Sequence, residues 1–109
     1  MAGEYIRFLR IVERSKGANS TALDSIETKL LHSILLSYSE GKIVLVGDLI
    51  HLSQIASPAT LHGRIKRLAE LGYINLIACK EDARRRLVMP AKLADNYLLF
   101  MSRCLAKAL

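Results

Sequence analysis

The sequence predicts one mainly helical α+β domain with a small β-hairpin, and three observations support this. Apolar residues recur at helical spacing near both ends of the chain. The segment Ser57–Leu71 combines an apolar stripe with a polar, basic face. Two β-type segments then enclose a tip that ends in three arginines, Arg84–Arg86. A length of 109 residues corresponds to about one domain.

The first half of the chain predicts two helices. The first has apolar residues at helical spacing (Tyr5, Phe8, Leu9 and Val12). After a break at residues 17–20, Thr21 and Asp24 resemble a capping box at the start of the second helix. The second helix has a longer apolar face (Leu23, Ile26, Leu30, Leu31, Ile34, Leu35 and Tyr38) and ends at Gly41.

The middle of the chain predicts a short helix, a turn and a longer helix. Residues 43–46 form an edge strand or an extended lead-in, and residues 48–52 form the short helix. Ser57 is a good N-cap, and Pro58 suits the first helical position, where no backbone donor is needed. Gly72 ends the longer helix. This helix, with Leu61, Ile65 and Leu68 facing the core, is called the recognition helix below.

The last third predicts a hairpin and a terminal helix. Residues 73–78 and 87–89 pair as strands, and Pro90 starts the helix. The apolar face of that helix is broad (Leu93, Tyr97, Leu98, Leu99, Phe100, Met101, Cys104, Leu105 and Ala108). It can pack as core within one chain, or it can form a dimer interface with the first helix, which we favour. The expected division is therefore dimerisation helices at 1–16 and 91–109 and a central region at 21–90.

Positive charge is concentrated in one third of the chain. The net charge is +6, and residues 57–92 contain eight basic and three acidic side chains, a net charge of +5. A clustered basic surface favours a polyanionic partner, although it can also be a merely solvated face.

The recognition helix and the hairpin carry the candidate contacts with DNA, so the region at 21–90 is the expected DNA-binding region. The predicted contact residues are Ser57, Ala59, Thr60, His62, Gly63, Arg64, Lys66, Arg67, Arg84, Arg85 and Arg86. Small residues near the helix start allow close approach to base edges, and the basic side chains can reach phosphates or guanine. Arginines at a hairpin tip can enter a narrow minor groove. Asp82 is expected to hold Arg84 or Arg85 through a charge-assisted hydrogen bond.

A recognition helix followed by a basic hairpin predicts a winged helix-turn-helix, and its residues resemble the MarR family of bacterial transcriptional regulators. The resemblance covers roughly residues 21–89. The matching residues are Ser57-Pro58-Ala59-Thr60-Leu61, Ile65, Arg67-Leu68, Leu71-Gly72-Tyr73-Ile74, Asp82-Ala83-Arg84-Arg85 and Leu87-Val88. It implies a homodimer, joined through its terminal helices, that binds a pseudo-palindromic operator. It also implies helix contacts from Thr60 and Arg67 and a minor-groove contact from Arg84.

Three features of the chain depart from that family. The turn at 53–56 lacks the usual Leu-Gly, and Gly63 stands where a polar or basic contact residue is common. The chain is also shorter than typical members, and Pro90 replaces the usual Leu-Thr junction into the terminal helices. Family members often release DNA when a small phenolic or lipophilic ligand, or an oxidant, acts on them. The short ends of this chain leave little room for a ligand cleft, which argues against a small-molecule effector here.

Other functions have little support in the sequence. No nucleophile–base–acid set, paired carboxylate motif or glycine-rich phosphate loop indicates an enzyme, and no Cys or His spacing indicates a metal or cofactor site. No segment approaches the roughly 18 apolar residues of a membrane helix, so we expect a cytoplasmic protein.

The favoured hypothesis is a dimeric, sequence-specific DNA-binding regulator, usually a repressor in this family, that contacts double-stranded DNA. Two alternatives stay open. One is a winged-helix module that binds another protein. The other is an architectural or replication protein that binds DNA with little sequence preference.

Overall fold

The computed structural model describes residues 2–16 and 22–109. Within these ranges the chain forms five α-helices and one two-stranded antiparallel sheet, which confirms the predicted α+β class. In chain order the elements are α1 (Gly3–Ser15), α2 (Ser25–Ser39), α3 (Val46–Leu49), α4 (Pro58–Leu71), β1 (Ile74–Ala78), β2 (Arg86–Pro90) and α5 (Lys92–Ala108). None of these helices combines the length and the hydropathy needed to cross a bilayer.

The chain divides into two compact units. One contains α1 and the part of α5 from Asp95 onward. The other, Leu23–Ala94, contains α2, α3, α4 and both strands. The candidate DNA-contact residues all belong to this second unit.

Helix α2 begins with a capping box, but not the predicted one. Asp24 is the N-cap, and its Oδ1 accepts a hydrogen bond of 2.7 Å from the backbone N–H of Glu27. The Glu27 carboxylate in turn accepts a bond of 2.9 Å from the backbone N–H of Asp24. The expectation that Asp24 completes a capping box begun by Thr21 is therefore wrong, because Asp24 is itself the N-cap. Thr21 lies outside the described residues.

The segment that leads into α3 follows the extended lead-in alternative. Leu45 forms an isolated bridge with Leu87, and the backbone N–H of Val88 donates to the Val44 carbonyl at 2.8 Å. Helix α3 then spans Val46–Leu49, so the predicted helix at 48–52 is placed too late. The reason is that Asp48 lies in the first turn of α3 rather than before it. Its Oδ2 accepts a hydrogen bond of 3.0 Å from the backbone N–H of Leu45, the N-cap residue, and this bond stabilises the start of the helix.

Helix α4 has the predicted boundaries. Ser57 is its N-cap, Pro58 is its first residue, and Gly72 ends it in the left-handed conformation at φ 96°. The predicted stripe of Leu61, Ile65 and Leu68 is fully or almost fully buried, which confirms the orientation of the helix.

The core of the second unit joins all its elements. Helix α2 packs against α4 and β2, while α3 packs against α4 and β2 and α4 packs against β1. Its fully or almost fully buried apolar side chains include Leu30, Leu31, Ile34, Leu49, Leu61, Ile65, Leu68, Ile74 and Val88. Tyr38, which was expected on the core face of α2, is 51% exposed, so that expectation is wrong.

Pro90 belongs to the sheet rather than to the last helix. It is the final residue of β2 and lies opposite Ile74, and α5 begins two residues later at Lys92. A proline at the end of a two-stranded ladder is tolerated because its missing N–H interrupts no further pairing.

The first unit exposes much of its apolar surface. Helix α1 has no buried residue, and the exposed fractions of Tyr5, Ile6 and Leu9 are 63%, 47% and 42%. In α5, Cys104 and Ala108 are buried, whereas other apolar side chains are 45–51% exposed (Leu98, Leu99 and Leu105).

Candidate nucleic-acid interface

The surface of α4 opposite its buried stripe is open. Ala59, His62, Gly63 and Lys66 are exposed, and Thr60 is half-buried. A Cβ added at Gly63 would meet no atom within 4 Å, so the helix backbone is accessible there. This face can therefore approach a flat or grooved partner closely.

At the start of α4 two hydroxyl groups bond to each other. Ser57 Oγ donates to Thr60 Oγ1 at 3.0 Å and also accepts a long bond of 3.4 Å from the backbone N–H of Thr60. The N-cap thus fixes Thr60 at the exposed start of the helix, while its hydroxyl hydrogen can still serve as a donor.

The hairpin tip is held by Asp82, but not in the predicted way. Asp82 Oδ1 accepts from the backbone N–H of Arg84 at 3.0 Å, and the Asp82 carbonyl accepts from the backbone N–H of Arg85 at 3.0 Å. No arginine guanidinium lies within ion-pair distance of Asp82 among the described residues, so that predicted contact is wrong. A short side chain next to a turn bonds its own backbone two residues on more readily than a distant guanidinium.

Below the tip, the hairpin closes with a hydrogen bond from the Cys79 N–H to the Arg85 carbonyl at 2.9 Å. Ladder pairing then continues from Ala78 with Arg86 toward the base. Asp82 and this closing bond together set where Arg84, Arg85 and Arg86 leave the hairpin.

A basic groove lies between α4 and the hairpin. It has a volume of about 310 Å³ and is lined by Val46, His62, Ile65, Lys66, Leu76, Arg84 and Arg86. Four of the predicted contact residues, two from the helix and two from the hairpin, meet here, although their positions in sequence are up to 24 apart. None of the lining side chains is acidic, so nothing in the lining neutralises its positive charge.

The other two basic residues of α4 point away from the groove, toward the start of α2. Successive helical residues are about 100° apart, so Arg64 and Arg67 diverge from Lys66. Arg64 Nε donates to Asp24 Oδ2 at 2.6 Å, and both side chains are about 40% exposed. Arg67 Nη1 donates to Glu27 Oε1.

Glu27 is the feature that sequence reasoning missed. It is 0% exposed, and its Oε1 accepts from both the Asp24 backbone and Arg67. Its Oε2 accepts no hydrogen bond from the residues that the structure describes, and it faces Arg64 Nε at 3.8 Å. The spacing Asp24-x-x-Glu27 is a capping-box signature and could have indicated the local bond, but not the approach of two arginines from α4.

These contacts shift the pKa values of Asp24 and Arg67. Burial raises the pKa of Asp24, but hydrogen bonds from the Glu27 backbone and from Arg64 outweigh it, and the net shift is downward. The hydrogen bond to Glu27 raises the pKa of Arg67. Both shifts are in the direction expected of ionised pairs, and the hydrogen bonds hold Arg64 and Arg67 toward α2.

The predicted contact residues therefore fall into three groups. The first lies on the open face and groove side of α4 (Ser57, Ala59, Thr60, His62, Gly63 and Lys66). The second is on the hairpin, where Arg84 and Arg86 line the basic groove and Arg85 is exposed at the tip. The third, Arg64 and Arg67, faces the acidic residues of α2.

In the described parts of the chain, no three His, Cys, Asp or Glu side chains are grouped to hold a metal ion. Of the two free thiols, Cys104 is buried and Cys79 is half-buried. No family model, curated protein or solved structure matches the chain significantly.

Proposed function

We propose that this chain is a double-stranded DNA-binding transcriptional regulator of the winged-helix type, similar to the MarR family, and most simply a repressor. The observation that carries the proposal is the basic groove, where Lys66 and His62 of α4 meet Arg84 and Arg86 of the hairpin. A helix flanked by a basic hairpin is a recurring arrangement for DNA recognition.

The open face of α4 fits a major groove. The helix has 14 residues and is therefore about 21 Å long, and its diameter suits a groove about 12 Å wide. Ala59 and Gly63 let the helix backbone approach base edges, while Thr60 and His62 supply hydrogen-bonding groups. In this arrangement Lys66 reaches phosphate or guanine.

The hairpin supplies the second part of the interface. The turn at Asp82 fixes the backbone from which Arg84 and Arg85 project. Arginines presented on a rigid turn lose less conformational entropy when they bind. Insertion of Arg84 into an adjacent minor groove would read its width rather than its base edges.

The proposed active species is a homodimer. Within the first unit, α1 has no buried side chain, and both α1 and α5 expose large apolar residues such as Tyr5 and Leu99. Such surface favours association with a second copy. A two-fold dimer would bind an inverted repeat with half-site centres roughly 10 base pairs apart.

The test is selection of bound sequences from a randomised duplex library at near-physiological salt, followed by titration of the best duplex. An enriched inverted repeat would establish a sequence-specific dimeric regulator. Binding without enrichment would contradict sequence-specific regulation and support the architectural alternative. Absence of binding would overturn the proposal and favour a protein partner.

One observation favours the architectural alternative enough to keep it in the test. Two of the cations on α4, Arg64 and Arg67, are engaged with acidic residues in the structure. Fewer side chains are then available to read bases, which is expected of a protein with low sequence preference.

A further inference from the structure

We infer that Arg67 is a positioning residue that holds α4 in its orientation through the buried Glu27, and that the α4 cation in contact with DNA is Lys66. This inference deepens the proposed function and rests on it for its second half. The first half, the pairing of Arg67 with Glu27, concerns the protein alone.

The environment of Glu27 supplies the first argument. A carboxylate that is 0% exposed must be compensated, because an isolated buried charge is strongly unfavourable. The backbone N–H of Asp24 gives one hydrogen bond at 2.9 Å, and Arg67 gives the only side-chain hydrogen bond among the described residues. Removing Arg67 would leave the buried carboxylate with one neutral hydrogen-bond donor and with Arg64 Nε 3.8 Å from its Oε2, beyond hydrogen-bond distance.

The position of Glu27 supplies the second argument. It lies at the N-terminus of α2, and Arg67 lies in the second half of α4, 40 residues further along the chain. Their bond therefore links two helices that pack against each other. Rotation of α4 about its axis would break it, so it helps fix which residues face the basic groove.

The geometry of α4 supplies the third argument. Lys66 lines the basic groove, whereas its neighbour Arg67 is turned about 100° away and bound to Glu27. For Arg67 to bind a phosphate with the same guanidinium nitrogen, it would have to give up its hydrogen bond to a buried carboxylate. Arg64 is bound mainly to the exposed Asp24, so it can leave its partner for a phosphate more easily than Arg67 can.

Two matched experiments test the inference. The first compares thermal unfolding of Glu27→Gln, Arg67→Gln and the double variant without DNA. Arg67→Gln should lower the midpoint most, and the double variant should recover part of that loss, because it no longer buries a carboxylate that has lost its hydrogen-bonded cation. Additive losses from the two substitutions would overturn the positioning role.

The second experiment measures the salt dependence of DNA affinity for Lys66→Gln and for the Glu27→Gln/Arg67→Gln double variant. The double variant keeps the net charge of the protein, so a change in slope reports a lost phosphate contact. Lys66→Gln should reduce the slope by about one unit, and the double variant should leave it unchanged. A reduction in the double variant equal to that of Lys66→Gln would overturn the inference.

The two experiments separate the inference from the proposed function. If the unsubstituted chain binds no duplex, the proposed function fails, and with it the assignment of Lys66 as the contact. The unfolding comparison still decides whether Arg67 acts through Glu27.

Discussion

The two sides of α4 carry the same kind of charge and use it differently. On the hairpin flank, defined by His62 and Lys66, the neighbours are Arg84 and Arg86, and no acidic residue lines the groove. On the α2 flank, defined by Arg64 and Arg67, the neighbours are Asp24 and Glu27.

The function of a basic residue therefore depends on what the tertiary structure places beside it. Like charges collected without a counter-ion repel each other and favour an anionic ligand. The same charges opposite a buried carboxylate are neutralised within the protein and fix the packing of helices. The net charge of +5 in residues 57–92 therefore overstates the positive surface offered to DNA.

The largest effect is expected on DNA affinity, when the charge of Lys66 on the hairpin flank and those of the groove arginines Arg84 and Arg86 are removed together. The triple variant Lys66→Ala/Arg84→Ala/Arg86→Ala should lose about a hundredfold in DNA affinity at near-physiological salt, with a shallower salt slope. Fluorescence anisotropy with the selected duplex measures both. A matched control, Lys29→Ala/Lys42→Ala, removes two exposed cations of α2 and the loop after it and should change affinity little. Equal losses per charge in both variants would show that only net charge matters.

The next largest effect is on stability and concerns the α2 flank. Glu27→Ala should lower the free energy of unfolding by about 2 to 3 kcal/mol, because it removes hydrogen bonds to a charged, buried group. Glu40→Ala is the control, since Glu40 pairs with Lys42 at 3.0 Å while both side chains are more than half exposed. That exposed pair should contribute less than about 1 kcal/mol. Denaturant unfolding compares the two, and similar values would contradict the distinction between the flanks.

A smaller effect is expected at the hairpin turn. Asp82→Ala removes the acceptor for the Arg84 N–H and should weaken DNA binding about fivefold, the equivalent of one lost hydrogen bond. Asp82→Asn keeps that acceptor and removes a negative charge, so its affinity should equal or exceed that of the unsubstituted chain. If Asp82→Asn weakened binding as much as Asp82→Ala, the turn would not be the reason for the presence of Asp82.

Gly63, between the two flanks, should separate stability from binding. Gly63→Ala should raise the free energy of unfolding by about 0.5 to 1 kcal/mol, because the helix is open there and alanine has the higher helix propensity. The added methyl group should nevertheless weaken DNA binding if the backbone approaches base edges. Unfolding and anisotropy on one preparation measure both, and unchanged affinity would exclude close approach at this position.

The smallest effect is the acid dependence of the Arg64–Asp24 pair. The pKa of Asp24 is lower in the folded chain than in the unfolded chain, where it has its ordinary value. The ionised Asp24 therefore contributes its full stabilisation at pH values above the ordinary pKa. It is lost as the pH falls from the ordinary value toward the folded one. Asp24→Asn should therefore flatten the acid limb of a plot of unfolding midpoint against pH, but only slightly, because solvent screens both partners. An acid limb unchanged by Asp24→Asn would contradict the shift.

Much of the architecture could be predicted because it depends on local pattern. Ser57, Pro58 and Gly72 set the ends of α4 through backbone chemistry that involves only near neighbours. The sequence does not decide the exact start of a helix where an acidic side chain has two possible local roles. Asp24 could pair with Thr21 or with Glu27, and Asp48 could begin a helix or close it from its first turn.

The sequence alone thus determined the α+β class, the buried stripe of α4 and the basic hairpin after it, because helical spacing and turn chemistry act over a few residues. The packing of the helices and the hairpin, by contrast, is what places Lys66 in the basic groove and Arg67 against Glu27. The partners in those contacts are 18 to 40 residues apart in the chain, and burial of a carboxylate depends on how the helices pack. No local pattern carries that information.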